Sequence, residues 1–372
     1  MAQPWSRVVN STTKNFIKER EVNVLRNRKL TALMKKRGRI TFNWSGTAMD
    51  WKVQYKRVRP TPHASGDTLD FARKDRHKTA TLDWRGYSAT DSIEKSEMLM
   101  NRGKQQIINL FSNTAEWLME DLEDYFGEEF YVNGYATGNS KRMHGIESFM
   151  SASASAGNGA ATPTATNYAG INCTLGAYGG SWDSGSLPGW PNGRGDAHYN
   201  FWSPLIVDYG DTLFPGGASN PYWTHNCVEA ISFAIIKTKK SKSQTGQLDL
   251  IMLDDEMYRL YLAKMRSIQR IDVTRKTDLV QLGFSDVMNQ DGVDITSEYG
   301  IPVATGYGYN IDKMELRSMQ AQVFVPEGPD FDIASKSYRY SVDFFGNIVY
   351  NPKFFCKLVN LTSPSAPLQA AS

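Results

Sequence analysis

The sequence predicts an α+β protein, and three observations predict it. Apolar and polar side chains alternate through Trp51, Val53 and Tyr55, and again through Ala80, Leu82 and Trp84, which is the two-residue period of a strand. From Ile93 to Tyr125 the apolar residues recur at spacings of three, four and seven, the period of a helix. Leu248 to Leu253 reads as a buried strand and Asp255 to Arg270 as the helix after it, one α/β unit. The 372 residues are 41 % hydrophobic and 22 % charged, a globular composition that excludes a wholly disordered or fibrous chain. At about 150 residues per domain this length suggests two or three domains.

In chain order, residues 12–37 read as a helix. Phe16, Ile17, Val22, Val24, Leu25, Leu30, Leu33 and Met34 form its apolar stripe, and Lys35, Lys36, Arg37 and Gly38 supply terminal cations and a C-cap glycine. So little apolar surface makes an arm that lies on something else. Residues 42–88 form a two-stranded finger around a turn-rich tip at Pro60 to Asp67. Two arms of about ten to fifteen residues would reach roughly 35–50 Å, and such a ribbon needs a supporting surface.

Residues 91–126 read as one long helix, with Asp91 and Glu94 in capping-box positions and Gly127 able to end it. Glu128 to Gly134 is its extended exit, with an Asn-Gly turn. Ser151 to Gly157 is a flexible small-residue tract, and 151–226 is a loop region holding 13 of the 30 glycines and four of the nine tryptophans, Trp182, Trp190, Trp202 and Trp223. Residues 227–245 are an apolar helix or strand. Ile301 to Ala304 and Ala321 to Val325 read as strands. Tyr338 to Phe344, a Gly346-Asn347 turn and Ile348 to Leu358 read as a terminal hairpin, and 362–372 as a frayed tail.

Residue chemistry argues against most enzyme classes. Cys173, Cys227 and Cys356 lie far apart without a CxxC, which excludes a disulfide framework or zinc ribbon and fits a reducing compartment. The five histidines, His63, His77, His144, His198 and His225, show no metal-ligand spacing, and no phosphate-loop, HExxH or GxSxG motif is present. The expectation is therefore no catalytic, cofactor-binding or metal residue. The first residues lack the apolar core of a signal peptide, and no apolar run approaches the ~20 residues of a membrane span, so no membrane partner is expected.

Charge is unevenly distributed. The formal total is +3, but residues 1–40 carry a net +9, residues 41–90 a net +4 and residues 91–129 a net −7. The basic arm is either a solvated helix face or a sequence-blind contact with nucleic-acid phosphates through Arg26, Arg28, Lys29, Lys35, Lys36, Arg37 and Arg39. No base-reading motif accompanies it.

Taken in order, several stretches carry a resemblance: Leu25, Leu30 and Leu33 before Arg37-Gly38-Arg39-Ile40; Ser96-Glu97 before Ile107, Ile108 and Leu110; Tyr131 and Gly134; Met143-His144-Gly145-Ile146; Tyr168-Ala169-Gly170-Ile171-Asn172; Leu248 to Leu262; and Tyr299 to Val303 before Tyr309-Asn310. Over roughly residues 20–360 this order resembles the major capsid protein of tailed bacteriophages, the Hong Kong 97-type capsid fold. The resemblance implies an N-terminal arm at 1–41 and an extended-loop (E-loop) hairpin at 42–90. It implies a peripheral domain with a spine helix at 91–165, and an α/β axial domain with a Gly/Trp-rich insert at 166–330. Residues 331–372 would be a C-terminal hairpin completing the peripheral domain, and a tail.

The resemblance further implies a structural protein that self-assembles through hexamers and pentamers into an icosahedral shell around a double-stranded DNA genome. Trp44, Trp51, Tyr55 and Trp84 of the E-loop would be buried on a neighbouring subunit. The basic residues from Arg26 to Arg39 would line the inner, DNA-facing side in a non-specific contact. A portal protein, and scaffolding and decoration proteins, are further implied partners, with location in the virion capsid after assembly in the bacterial host cytoplasm. Basic arms and fingers meeting acidic spines of neighbours would steer assembly, so assembly should weaken with salt. The competing reading is a carbohydrate-active or glycan-binding enzyme using the Trp/Asp-rich region 176–224, with Asp183, Asp196, Asp208 and Asp211 among its tryptophans.

Overall fold

The computed structural model describes residues 28–54, 62–69, 71–73, 77–100, 117, 118, 121, 122, 124–155, 159–173, 202–238, 247–268, 278–282, 284 and 286–369. Arg26, Tyr55, Trp182, Trp190, Asp183, Asp196 and the middle of the expected long helix lie outside these residues.

The chain opens with α1 (Lys29–Lys36), β1 (Ile40–Thr41), the ribbon β2 (Met49–Gln54) and β3 (His77–Leu82), then β4 (Arg85–Glu94) and α2 (Lys95–Met100). A small pair follows, β5 (Ala152–Ser155) and β6 (Ala161–Pro163), then β7 (Leu205–Asp208), α3 (Trp223–Thr238), β8 (Leu250–Leu253), α4 (Asp255–Ile268) and α5 (Asp278–Gln281). The remaining elements are β9 (Met288–Gln290), β10 (Val293–Ser297), β11 (Gly306–Tyr309), β12 (Met314–Ser318), β13 (Val325–Asp332), β14 (Ser337–Tyr350) and β15 (Cys356–Val359).

Two sheets organise the molecule. In the first, β14 is central: it pairs antiparallel with β13 and β4 along its first part and with β12 along its last, and β1 adds in parallel to β12. The second runs β7-β15-β11-β8-β10-β9. Every residue of β7, β8 and β11 is buried, as continuous apolar runs covered on both faces should be. Successive side chains of a strand point to opposite faces, and the burial follows. Leu205, Val207, Ile251, Leu253 and Leu358 pack with α3 and α4 in one core. Ile206, Leu250, Met252, Tyr307 and Tyr309 face the other core, shared with α1, the first sheet and the helical residues Leu118, Leu122 and Phe126.

Several sequence expectations are corrected. Residues 91–94 are strand, not the start of the long helix, because β4 holds an unbroken ten-residue register with β14, from Arg85 opposite Gly346 to Glu94 opposite Ser337. Asp91 and Glu94 are thus strand residues, and Glu94 directly precedes the helix at Lys95. The chain is helical at 95–100, at 117, 118, 121 and 122, and at 124–129, so it passes through Gly127 instead of ending there; helix and a turn at Phe130-Tyr131 replace the first part of the extended exit, and a turn does follow at Gly134. The small-residue tract at 151–157 contributes β5, paired with β6. The apolar segment at 227–245 is helical through Thr238.

Gly346-Asn347 is not a turn. β14 runs straight through it, and a Cβ on Gly346 would lie 2.4 Å from the Arg317 carbonyl oxygen, so glycine is there for close strand approach. The hairpin instead joins β13 to β14. Ile301 to Ala304 ends in a turn, with Ala304 at φ +57°, and the strands begin at Gly306 and Val325. Residues 356–359 lie in the second sheet, between β7 and β11.

The expected frayed tail is held through residue 369. The first N–H groups of a helix have no partner within it, and those of Trp223 and Thr224 donate to the Pro367 and Leu368 carbonyls at 3.2 Å. Thr362 Oγ1 donates to buried Asp208. Ending the chain after Leu361 should therefore cost about 2–3 kcal/mol, at roughly 1 kcal/mol per lost bond. A melting curve of the truncated chain checks this, and an unchanged midpoint would show the strap to be idle.

Candidate assembly surfaces

α1 places the basic residues. Its apolar residues Leu30, Leu33 and Met34 are buried in the chain's own core, so residues 29–36 belong to the body and not to a free arm. Arg28 at its N-cap offers no side-chain cap; a carboxylate oxygen of Glu298 accepts the Leu30 N–H at 3.3 Å instead. Burial lifts the Glu298 carboxyl to about 7, against the pull of Arg28, the Leu30 amide and Lys29.

The cations of α1 find carboxylates of the same chain. Arg28 reaches Asp124 at 3.5 Å and the Tyr299 carbonyl at 2.9 Å. Lys29 pairs with Asp286 and donates to Thr296 Oγ1 and the Ser297 carbonyl. Lys36 pairs with Asp278 at 2.9 Å, Arg37 with Asp249 at 3.0 Å and Asp278 at 3.2 Å, and Arg39 with Asp312 at 2.9 Å. Of the described residues expected on a DNA-facing side, these five are committed within the chain, and exposed Lys35 alone carries no ion pair among the described residues.

Burial works against the Arg37 charge, but Asp249 and Asp278 outweigh it and raise its pKa. The Lys36 hydrogen bond, with Arg37 beside it, draws the Asp278 carboxyl down. Arg37→Ala removes the partner of half-buried Asp249 and should cost about 2 kcal/mol. Thermal unfolding of the variant checks it, with Lys35→Ala as an expected neutral control.

The finger's tryptophans are pins at its root. Met49, Val53, Ala80 and Leu82 form one face of the β2–β3 ribbon and are buried in the chain's own core, with Trp51 and Trp84 packed beside them. The ribbon is thus supported by its own body, and among the described residues six of each strand are paired, Met49–Gln54 with His77–Leu82. Trp84 Nε1 donates to the Gly46 carbonyl at 3.0 Å. Trp44 Nε1 donates to Thr41 Oγ1 at 2.7 Å, and the Arg317 guanidinium lies 4.2 Å from its ring centre while bound to Glu315. Trp44 keeps 37 % of its surface exposed, the largest remainder among the three described tryptophans of the root.

Sequence reasoning missed the apolar residues the finger does expose, Phe71 at 90 % and Leu69 at 46 %, and Trp117 at 61 % on the helical segment. The signal for Phe71 was its place outside both alternating runs. It also missed the buried knot behind that segment. Glu129 is fully buried and held by Arg142 at 2.5 Å and by the Tyr87 hydroxyl at 2.6 Å. Burial and Glu129 together push the Tyr87 hydroxyl pKa well up.

The glycan-site reading fails where it is described. Trp202 and Trp223 are fully buried, so neither ring can stack on a sugar. Asp208 accepts from the Gly210 and Leu361 amides, and Asp211 from the Leu213 amide, as loop-fastening groups. The three cysteines are free and buried. Among the described residues no three His, Cys, Asp or Glu gather as a metal set, and no helix is long and apolar enough to cross a membrane.

No protein-family model matches the chain, and no curated protein matches it. Among solved structures it is similar to the cyanophage A-1(L) capsid asymmetric unit, with a TM-score of 0.55 and 13 % identity over 87 % of this chain and 90 % of that one. It is also similar to the capsid of a native GTA particle, with a TM-score of 0.50 and 9 % identity over 88 % of this chain and 90 % of that one. The match spans nearly the whole of each partner, so it concerns the architecture and not one shared motif: the chain has the Hong Kong 97-type fold of phage capsid subunits.

Proposed function

We propose that this chain is the structural major capsid protein of a tailed phage. It self-assembles through hexamers and pentamers into an icosahedral shell around double-stranded DNA. The observation that carries this reading is the end-to-end likeness to capsid subunits, 87 % of one chain against 90 % of the other. The exposed finger tip and the exposed helix face supply surfaces for a neighbour, and heterologous contacts that close on themselves make shells. Assembly in the host cytoplasm, a portal, and scaffolding or decoration proteins belong to the same reading.

The E-loop contact and the DNA-side contact also belong to it, in narrower form. Trp44 is the root tryptophan with surface to spare, and DNA contact falls to Lys35 and the basic residues before Arg28. Deleting residues 1–27 tests the arm, since deletion through residue 40 would also remove core residues Leu30, Leu33 and Met34. Negative-stain microscopy of the purified chain tests the function. Shells, tubes or five- and six-fold capsomers are expected; a strictly monomeric particle at high concentration, with or without candidate scaffold, would overturn it.

A further inference from the structure

The first turn of α1 is clasped by residues 296–299, the end of β10 and the two residues after it. The Leu30 amide donates to Glu298 Oε2 at 3.3 Å. To either side, Lys29 Nζ donates to Thr296 Oγ1 at 2.8 Å and to the Ser297 carbonyl at 2.7 Å, and Arg28 donates to the Tyr299 carbonyl at 2.9 Å. The Arg28 guanidinium also stands 5.4 Å from the Tyr299 ring centre, and a Cβ on Gly127 would lie 2.4 Å from its Cζ. Arg28 is therefore wedged between the clasp and the helical segment at 124–129.

Glu298 differs from the other carboxylates around this turn. Asp124 and Asp286 have half or more of their side chains in water, and Asp255 is exposed. Glu298 is partly exposed as a residue, but its carboxyl is enclosed. Behind it lie the buried hydroxyls of Tyr131 and Tyr309, close enough to feel its charge and too weak as partners to neutralise it. Arg28 and Lys29 favour that charge, but burial outweighs them. Next to the carboxyl a cavity of about 450 Å³, lined also by Asp124 and Asp255, opens to water.

We infer that Glu298 is a proton-operated latch on α1: uncharged, it closes the clasp around the first turn, and charged, it turns into the neighbouring cavity and lets that turn open. The closed clasp holds its proton up to about pH 7, while a glutamate in water loses it near 4.5, so the latch is fast in mild acid and is released as pH rises through 7. Residues 1–27 continue directly from Arg28, so release acts where the N-terminal segment joins the body. The device lies within one chain and needs no neighbour, so it stands apart from the shell-forming reading.

Hydrogen exchange of the full-length chain tests it, read on the peptide that spans α1 and corrected for the intrinsic pH dependence of amide exchange. Wild-type protection of α1 should fall about 50-fold between pH 5 and pH 8, the linkage factor for a carboxyl whose value moves between 4.5 and about 7. In Glu298→Gln the side chain still accepts the Leu30 N–H but cannot ionise, so protection should stay level over the same range. Level protection in wild type overturns the latch, and so does an equal fall in the variant. The wild-type measurement decides by itself if the variant does not fold.

Discussion

Gly145→Ala should cost at least about 4 kcal/mol and lower the melting point by about 10 °C or more, a loss in the range reserved for a few severe mechanisms. The backbone at Gly145 is extended, with φ −72° and ψ −178°, which any residue adopts. The objection is steric. A Cβ there would lie 2.6 Å from the Glu129 carbonyl oxygen, the Phe130 carbonyl oxygen and the Val132 nitrogen. All three are backbone atoms, so no side chain can swing away. The crowding has a purpose: the Ile146 amide donates to the Phe130 carbonyl at 2.9 Å, and next to it Arg142 closes on buried Glu129. One methyl group would lever the 142–148 loop off the end of the helical segment and leave Glu129 buried without its cation, which is costly. Gly138→Ala is the control, because Gly138 at φ +92° has open space around it and should lose only about 1 kcal/mol. If both variants melt within two or three degrees of each other, the packing argument at Gly145 is wrong.

Much of the architecture could be read in the chain because its signals are local. The strand-helix unit at β8 and α4 followed from an apolar run and a helical stripe, and Met257, Tyr261 and Met265 are buried as that stripe requires. The failures share one cause, that long-range pairing overrides local preference. Asp91 and Glu94 look like a helix start, yet ten residues of β4 gain more from β14 than from a longer helix. Gly346-Asn347 looks like a turn, yet the same pair lets β14 pass Arg317 closely, and the Asn347 side chain bridges the His144 amide and the Asp83 carbonyl. The site was less legible than the fold. Tryptophan content pointed to the root of the finger, where the rings also pack and hydrogen-bond within the chain, while the exposure of Phe71 is a tertiary fact that no local pattern encodes.

The charge asymmetry was legible, but its partner was not. A helix with a net positive face was expected to meet DNA or a neighbour. Instead Asp249, Asp278, Asp286 and Asp312, spread over some sixty residues of sequence, converge on it. No periodicity in either segment encodes that meeting. Four of the carboxylates that meet this helix are thus drawn from the far half of the chain.

Acid should destabilise the chain through His144. Its ring is buried, lies 4.3 Å from the Tyr135 ring centre, and its Nε2 is 3.4 Å from the Arg85 guanidinium. Burial first, and Arg85 second, lower its pKa to about 4, against a smaller opposing pull from Asp83. The unfolded chain takes up this proton near pH 6.5, the folded one only near 4, so between these values the unfolded state binds more protons. The stability His144 permits is complete above pH 6.5 and is lost as pH falls towards 4, by about 3 kcal/mol. Glu298 works in the opposite sense: its raised folded value, about 7, gives stability that is full below about 4.5 and lost as pH rises through 7. The two windows overlap, so a single pH–stability curve will not separate them, but a difference will. His144→Gln removes one titration and leaves the other, and the gap between variant and wild type should close by about 3 kcal/mol from pH 7.5 to pH 4. Arg85→Gln should narrow the wild-type acid loss by relieving the repulsion, although the burial contribution remains. Denaturant unfolding at the two pH values reads both. Parallel curves for wild type and His144→Gln would mean that the imidazole escapes to water before it is protonated, and that the root of the finger, where Asn347 ties this loop to Asp83, opens in acid ahead of the rest.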